Sequence, residues 1–330
     1  MNSRRKLLIA FGLGALTTPL RSFAQQRPAL PLVIYLNPGS MESKWAKTNI
    51  AAFRVGLVEN GLVEDRDLIL EIISAEGRFE RLPELVREVV RRNPSVIVAT
   101  ANDSVIPAHD ATRTVPIVAV GMNNPLDLGL AASLARPGGN VTGLISEPGE
   151  REAKLIEILH EALPRVKRFA LLADSKYPRY SQVLAQMQAY AKARGIVLLP
   201  ALPSDAAQIE PSLSAAFNQG AQALVGLRFN RLIVFWPKVL AFLNSRHVPG
   251  IFGFQELADE GGLIGYGTNL ANLYRRAAGY VARILRGAKP GELPIEQPTQ
   301  FELVLNLKTA KAMGVKFPQS ILVRADRVIE

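Results

Sequence analysis

The side chains best suited to acid–base or metal chemistry are three histidines, His109, His160 and His247. They lie far apart and show no metal-ligand spacing. There is no cysteine, hence no thiolate nucleophile, no thiolate metal site and no disulfide. No G-x-S-x-G elbow, P-loop or dinucleotide-type glycine fingerprint stands in the required strand–turn–helix context. Acids are plentiful, but the sequence ties no two of them into an acid–base pair. The chain is therefore expected not to be an enzyme and to carry no cofactor or bound metal.

The remaining chemistry is that of recognition: polar and aromatic residues just after short apolar runs. In the first half these are Asn37 and Ser40, then Thr100 and Asn102 with Ser104, then Asn123 and Asn124. In the second half they are Asp174 and Tyr177, Arg228, Phe254 and Tyr266. A few placed polar groups against apolar walls are what a small-ligand site needs. Thr100-Ala101-Asn102 precedes a helix, where free N–H groups and hydroxyls suit a carboxylate. Asn102 equally reads as a helix N-cap, and the two roles coexist. Tyr266 reads as a crevice residue or as packing at a hinge, and Arg228 as a carboxylate partner or a solvated loop residue. Trp45 and Trp236 fall within helices and read mainly as packing.

The elements that position these residues alternate strand and helix from Pro31 onward. Leu32–Leu36, Leu68–Ile73, Ser95–Ala99 and Val115–Val120 read as buried strands. Helices over Lys44–Asn60 and Phe79–Arg92, and one from about Asp103, separate them, with Gly61 reading as a stop of the C-cap type. The rhythm restarts after Gly143. Strands are expected at Arg168–Ala173, Ile196–Leu199, Ala223–Gly226 and Val248–Phe252. Helices are expected at Arg151–Leu163, Tyr180–Arg194, Asp205–Gln219 and Leu232–Arg246. A further helix, Leu270–Arg286, precedes a strand at Phe301–Leu305 and a helix at Lys308–Met313. Such order implies parallel sheets covered by helices. The fold class expected is α/β, two doubly wound lobes joined by a hinge. Residues 28–144 form lobe one, completed by about 269–290. Residues 145–268 form lobe two, with 299–330 as a candidate completion. Ligands in such sheets bind at the carboxyl ends of the strands, here facing each other across a crevice.

The first 24 residues read as a secretory signal peptide. Arg4, Arg5 and Lys6 precede an uncharged apolar run, Leu7–Leu16, and Ser22-Phe23-Ala24 offers a cleavage site after Ala24. Ser3-Arg4-Arg5-Lys6-Leu7-Leu8 also fits the twin-arginine export pattern, the alternative being a general secretory signal. The apolar run is about half the ~20 residues a membrane span needs. With no cysteine, no lipid anchor is expected, and the mature chain is placed in the periplasm. The formal charge of +10 falls to +6 without the four cations of residues 1–24. The remaining Lys and Arg are interspersed with acids, which gives nucleic-acid binding no support.

From about Ala52 to Glu330 the sequence resembles the ABC transporter substrate-binding proteins of the tryptophan-uptake type. The matching segments are Phe53-Arg54-Val55-Gly56-Leu57-Val58-Glu59-Asn60-Gly61-Leu62-Val63-Glu64, Ser133-Leu134-Ala135-Arg136-Pro137-Gly138-Gly139-Asn140-Val141-Thr142-Gly143, Glu260-Gly261-Gly262-Leu263-Ile264-Gly265-Tyr266-Gly267, and Ile284-Leu285-Arg286-Gly287-Ala288-Lys289-Pro290 with Leu293-Pro294-Ile295-Glu296-Gln297-Pro298-Thr299 and Phe301-Glu302-Leu303-Val304-Leu305-Asn306. The glycine-rich stretches read as turns. The resemblance implies two periplasmic-binding-protein lobes, a small-molecule solute and ABC permease subunits in the inner membrane as partners. A monomer is expected. Two departures bear on ligand charge: Asn124 stands where the family usually has an acid before proline, and Arg228 where an acid is common. Both make the crevice less negative, so a plain carboxylate competes with an amino acid as the expected ligand. An exported sensor that docks to a membrane signalling receptor is the alternative to an importer subunit.

Overall fold

The computed structural model describes residues 29–146, 152–175, 180–205, 207–227 and 235–330. A five-stranded, all-parallel sheet has the order β2-β1-β3-β4-β5. Its strands are β1 (Leu32–Asn37), β2 (Ile69–Ser74), β3 (Val96–Thr100), β4 (Ile117–Met122) and β5 (Val141–Ile145). Alternation of side chains across each strand builds two cores at once. Ile34, Leu36, Ile97, Ala99, Ile117 and Ala119 meet Val86 and Val89 of helix α2 (Leu82–Arg91) and Val105 and Ala108 of α3 (Ala101–Ala111). The intervening residues, among them Val33, Tyr35, Val98 and Val120, face Phe53 and Leu57 of α1 (Lys44–Glu59).

The second sheet has seven strands in the order β12-β11-β10-β9-β8-β6-β7. These are β6 (Arg168–Leu172), β7 (Val197–Ala201), β8 (Ala223–Gly226), β9 (Gly250–Phe252), β10 (Ile264–Gly267), β11 (Glu302–Asn306) and β12 (Arg327–Ile329). Only β10 and β11 pair antiparallel. Helices α4 (Glu152–Ala162), α5 (Tyr180–Lys192), α6 (Ile209–Asn218) and α7 (Trp236–Ser245) accompany β6 to β9. Helix α8 (Leu270–Leu285) leaves β10 and packs on α1 and β4 of the first sheet. The chain then returns to β11, α9 (Leu307–Met313), α10 (Gln319–Arg324) and β12. Among the described residues no helix is long and apolar enough to cross a membrane.

Two of the differences from the sequence expectation have local causes. Ile264-Gly265-Tyr266-Gly267 does not look like a strand, yet it forms β10. A Cβ on Gly265 would sit 2.5 Å from the Gln255 carbonyl oxygen, so glycine here is what lets the turn at Gln255 lie directly against the strand. Helix α3 begins at Ala101, earlier than expected, with Ala101 in the left-handed region at φ +61°.

The paths between the sheets are tied to each other. The Thr268 hydroxyl, after β10, donates to the Ser146 carbonyl, after β5, at 3.0 Å. Glu296, on the return toward β11, accepts from Ile145 N–H and donates to the Gly143 carbonyl, both at 2.9 Å.

Candidate functional site

A cleft of about 510 Å³ opens at the carboxyl ends of β1, β3 and β4 and is faced by Pro237 and Glu260 of the second lobe. Its depth is aromatic. Tyr35 on β1 and Tyr274 on α8 lie with ring centroids 6.1 Å apart. Burial, then the charge and hydrogen bond of Tyr274, push the Tyr35 hydroxyl well above its ordinary pKa, so it stays a neutral O–H.

The wall between the lobes is Trp45, near the start of α1. Ser43 caps that helix by accepting from Ala46 N–H at 3.1 Å, which fixes the first turn and Trp45 with it. The indole ring stacks on Phe254 at 5.1 Å, and its N–H donates to the Glu260 carboxylate of the opposite lobe. Phe254 in turn packs edge-on against Trp236, and Trp236 against Phe252, so the aromatic contact continues into the second core. Among the described residues the charged ones lining the cleft are Lys44 and Glu260.

Of the residues expected at the crevice, Asn37, Ser40 and Thr100 line this cleft. Asn37 Oδ1 accepts from the Thr100 hydroxyl at 3.2 Å, and Asn37 Nδ2 donates to Gly39 O at 2.7 Å, which holds the β1 and β3 loops together. Thr100 therefore makes no side-chain cap bond to α3. Asn102 lies outside the lining, and its amide is engaged at both ends with Asn123: Oδ1 accepts Asn123 N–H at 2.9 Å and Nδ2 donates to Asn123 O at 3.1 Å. It neither caps α3 nor faces the cleft. Asn123 Oδ1 accepts the Ser146 hydroxyl at 2.9 Å. Ser104 is fully buried, and its hydroxyl has no hydrogen-bond partner among the described residues. Asn124 turns the loop after β4 at φ +51°. Asp174 is buried at the end of β6. Phe254 is covered by Trp45 and Trp236, and Tyr266 lies against Phe301 at the entry to β11, at 6.4 Å. Tyr177 and Arg228 lie outside the described residues.

Sequence reasoning missed Tyr35, Trp45, Glu260 and Tyr274. Trp45 does pack, as expected of it, but the surface it packs on belongs to the other lobe. Among the described residues no group of three or more His, Asp or Glu is placed to hold a metal.

The family described as ABC transporter substrate binding protein matches residues 45–329. A tyrosine-binding protein of Clostridioides difficile (strain R20291) is 20% identical over 264 residues, covering 80% of this chain and 76% of that protein. A conserved domain protein from Vibrio cholerae superposes with a TM-score of 0.83 at 23% identity, over 90% of this chain and 99% of that one. An ABC domain from Streptococcus pneumoniae in complex with L-Trp gives 0.82 at 21%, over 91% of this chain and 100% of that one. These structures share the two-lobed α/β fold described above. With 285 consecutive residues matched, as its motifs implied, the chain belongs to the ABC transporter substrate-binding protein family.

Proposed function

We propose that this protein is the periplasmic receptor of an ABC importer and clamps a small carboxylate or amino acid between its lobes. The observation that carries the proposal is the interlobe cleft itself. At about 510 Å³ it falls within the range of small-ligand sites, roughly 300–1,000 Å³. It lies at strand carboxyl ends, has an aromatic depth, and is bounded by both lobes, as a clamshell closing on a solute requires. The start of α3, unoccupied by a side-chain cap, supplies N–H groups and a positive dipole end for a carboxylate. Ala101, held at φ +61° on the cleft wall, is strained in the manner common at ligand sites. Arg228 is proposed as a further carboxylate partner. The tyrosine- and L-Trp-binding relatives support ligands of this size and class. The leader expected in residues 1–24 fits export, and ABC permease subunits are the proposed membrane partner.

Thermal-shift screening of the purified protein against the amino acids and their matching carboxylates tests the reading. Ligand at 100 times its Kd stabilises by about 2.7 kcal/mol, a rise of roughly 5 °C for a chain of this size. A melting temperature that no member of the set moves would refute it.

A further inference from the structure

A second groove, about 440 Å³, lies beside the cleft and shares Lys44, Trp45, Asn49, Glu260 and Leu270 with it. Its remaining lobe-two lining is acid-rich: Glu256, Asp259 and Glu302, against Arg327. Most of these groups are already engaged. Arg327 binds Asp259 through two hydrogen bonds of 2.6 and 2.7 Å, Glu302 accepts from Asn269 at 3.1 Å, and Glu256 accepts from Leu270 N–H at 3.1 Å. Two acceptors stand apart. Among the described residues Glu260 receives one neutral N–H, that of Trp45, and Lys44 makes no ion pair with it although it lines both cavities. Gln255, which lines this second groove and not the cleft, is 4% exposed, and its side-chain carbonyl oxygen is buried with no hydrogen-bond partner among the described residues. Native chains rarely leave such an acceptor unmade, and each instance asks for a missing donor.

A protonated amine is that donor by its chemistry: three N–H groups, no acceptor, and one positive charge. A carboxylate and an amide carbonyl from one turn, residues 255–260, are the complementary pair, and a charged partner strengthens the bond. We propose that Glu260, which lines both cavities, is the residue with which this crevice selects ligands bearing a protonated amine, with Gln255 as a further acceptor in the adjoining groove. The inference rests on the cleft being the ligand site. It also answers the loss of an acid at Asn124, because the negative charge is supplied from the opposite lobe. The ligand is then an amine-bearing acid in place of a plain carboxylate.

Calorimetry on the purified full chain tests it, using L-tyrosine and L-tryptophan, each beside its deaminated counterpart, 3-(4-hydroxyphenyl)propionate or 3-(indol-3-yl)propionate. The parent protein is expected to bind the amino acid about 30-fold or more tighter than the deaminated acid. Glu260→Gln removes most of that preference and leaves the deaminated acid within about threefold of its parent affinity. Trp45→Phe, which keeps the ring and loses the N–H, retains the preference. Melting curves confirm that both variants fold. Equal or tighter binding of the deaminated acid to the parent overturns the role of Glu260 and leaves the cleft reading intact. Equal weakening of both probes by Glu260→Gln also overturns it, since Glu260 then acts only by positioning Trp45. Failure of every probe to bind the parent overturns the cleft reading and this inference together.

Discussion

Gly56 lies in the middle of α1, and its replacement by alanine sets two effects of opposite sign against each other. Helix propensity favours alanine over glycine by about 0.8–1 kcal/mol, so on α1 alone the change stabilises. Packing opposes it. A Cβ at residue 56 would lie 2.1 Å from the Arg275 carbonyl oxygen of α8, and 2.9 Å from both the Arg275 carbonyl carbon and the Ala278 Cβ. Ordinary contact begins near 3.4 Å, so the helices must separate by roughly 1.3 Å, and a helix carbonyl cannot rotate out of the way. Overpacking of this kind typically costs about 1–3 kcal/mol, and backbone against backbone belongs at or beyond the upper end. The net loss is about 2 kcal/mol, which at roughly 2 °C per kcal/mol lowers the melting temperature by about 4 °C.

The same displacement has a functional arm. Tyr274, one residue before Arg275, lines the cleft and partners Tyr35. Moving α8 away from α1 therefore disturbs the aromatic depth of the site, and the variant binds ligand more weakly as well as melting earlier. Circular-dichroism melting of Gly56→Ala beside the parent is the assay. An unchanged or raised melting temperature would show that helix propensity dominates and that the close approach of α1 and α8 is not what requires glycine here.

Two further outcomes follow from the loop beside β1 and from the leader proposed for residues 1–24. The Glu76 carboxyl is held below its ordinary range, first by the Ser40 hydroxyl and then by that of Ser74. A lowered folded-state pKa contributes stability above the unfolded value, about 4.3, and loses it as pH falls through the folded value; Glu76→Gln should lower the urea midpoint at pH 6, with the gap to the parent shrinking as pH falls below about 4, and identical midpoints at pH 6 would refute the contribution. Replacing Arg4 and Arg5 together by lysine is expected to hold the precursor in the cytoplasm, read by fractionation and mass spectrometry of the N-terminus; unchanged export assigns the leader to the general secretory route.

The elements legible in the sequence were those whose burial leaves a periodic trace. The continuous apolar runs of β1, β3 and β4 and the stripe Leu82, Val86, Val89 of α2 announce themselves because each is covered by sheet or helix. Strand β12, three residues long and half-exposed, carries no such trace and exists because Val304–Asn306 offer it a parallel edge. Helix α10, six residues long, is equally short of periodic signal.

For the site, the loops were readable and the free side chains within them were not. Asn37 and Thr100 stand at strand ends, where an α/β sheet places its ligands, and they line the cleft. Asn102 and Asn123 stand at equally favoured positions, yet they hold each other, and through the Ser146 hydroxyl they hold the first interlobe path; Ser146 O then accepts from Thr268 on the second. Which amide is consumed by a neighbour depends on how the β3 and β4 loops meet, and local composition carries no record of that. The reverse holds for Trp45 and Glu260. A tryptophan near a helix start and a glutamate before two glycines read as packing and turn, and within their own lobes that is what they are. Their partnership spans 215 positions and two lobes, so it arises only when the clamshell is assembled. Residues proposed to discriminate ligands from between two lobes are for this reason the least visible in one lobe's sequence: the contact of Trp45 with Glu260 is one that neither lobe makes alone.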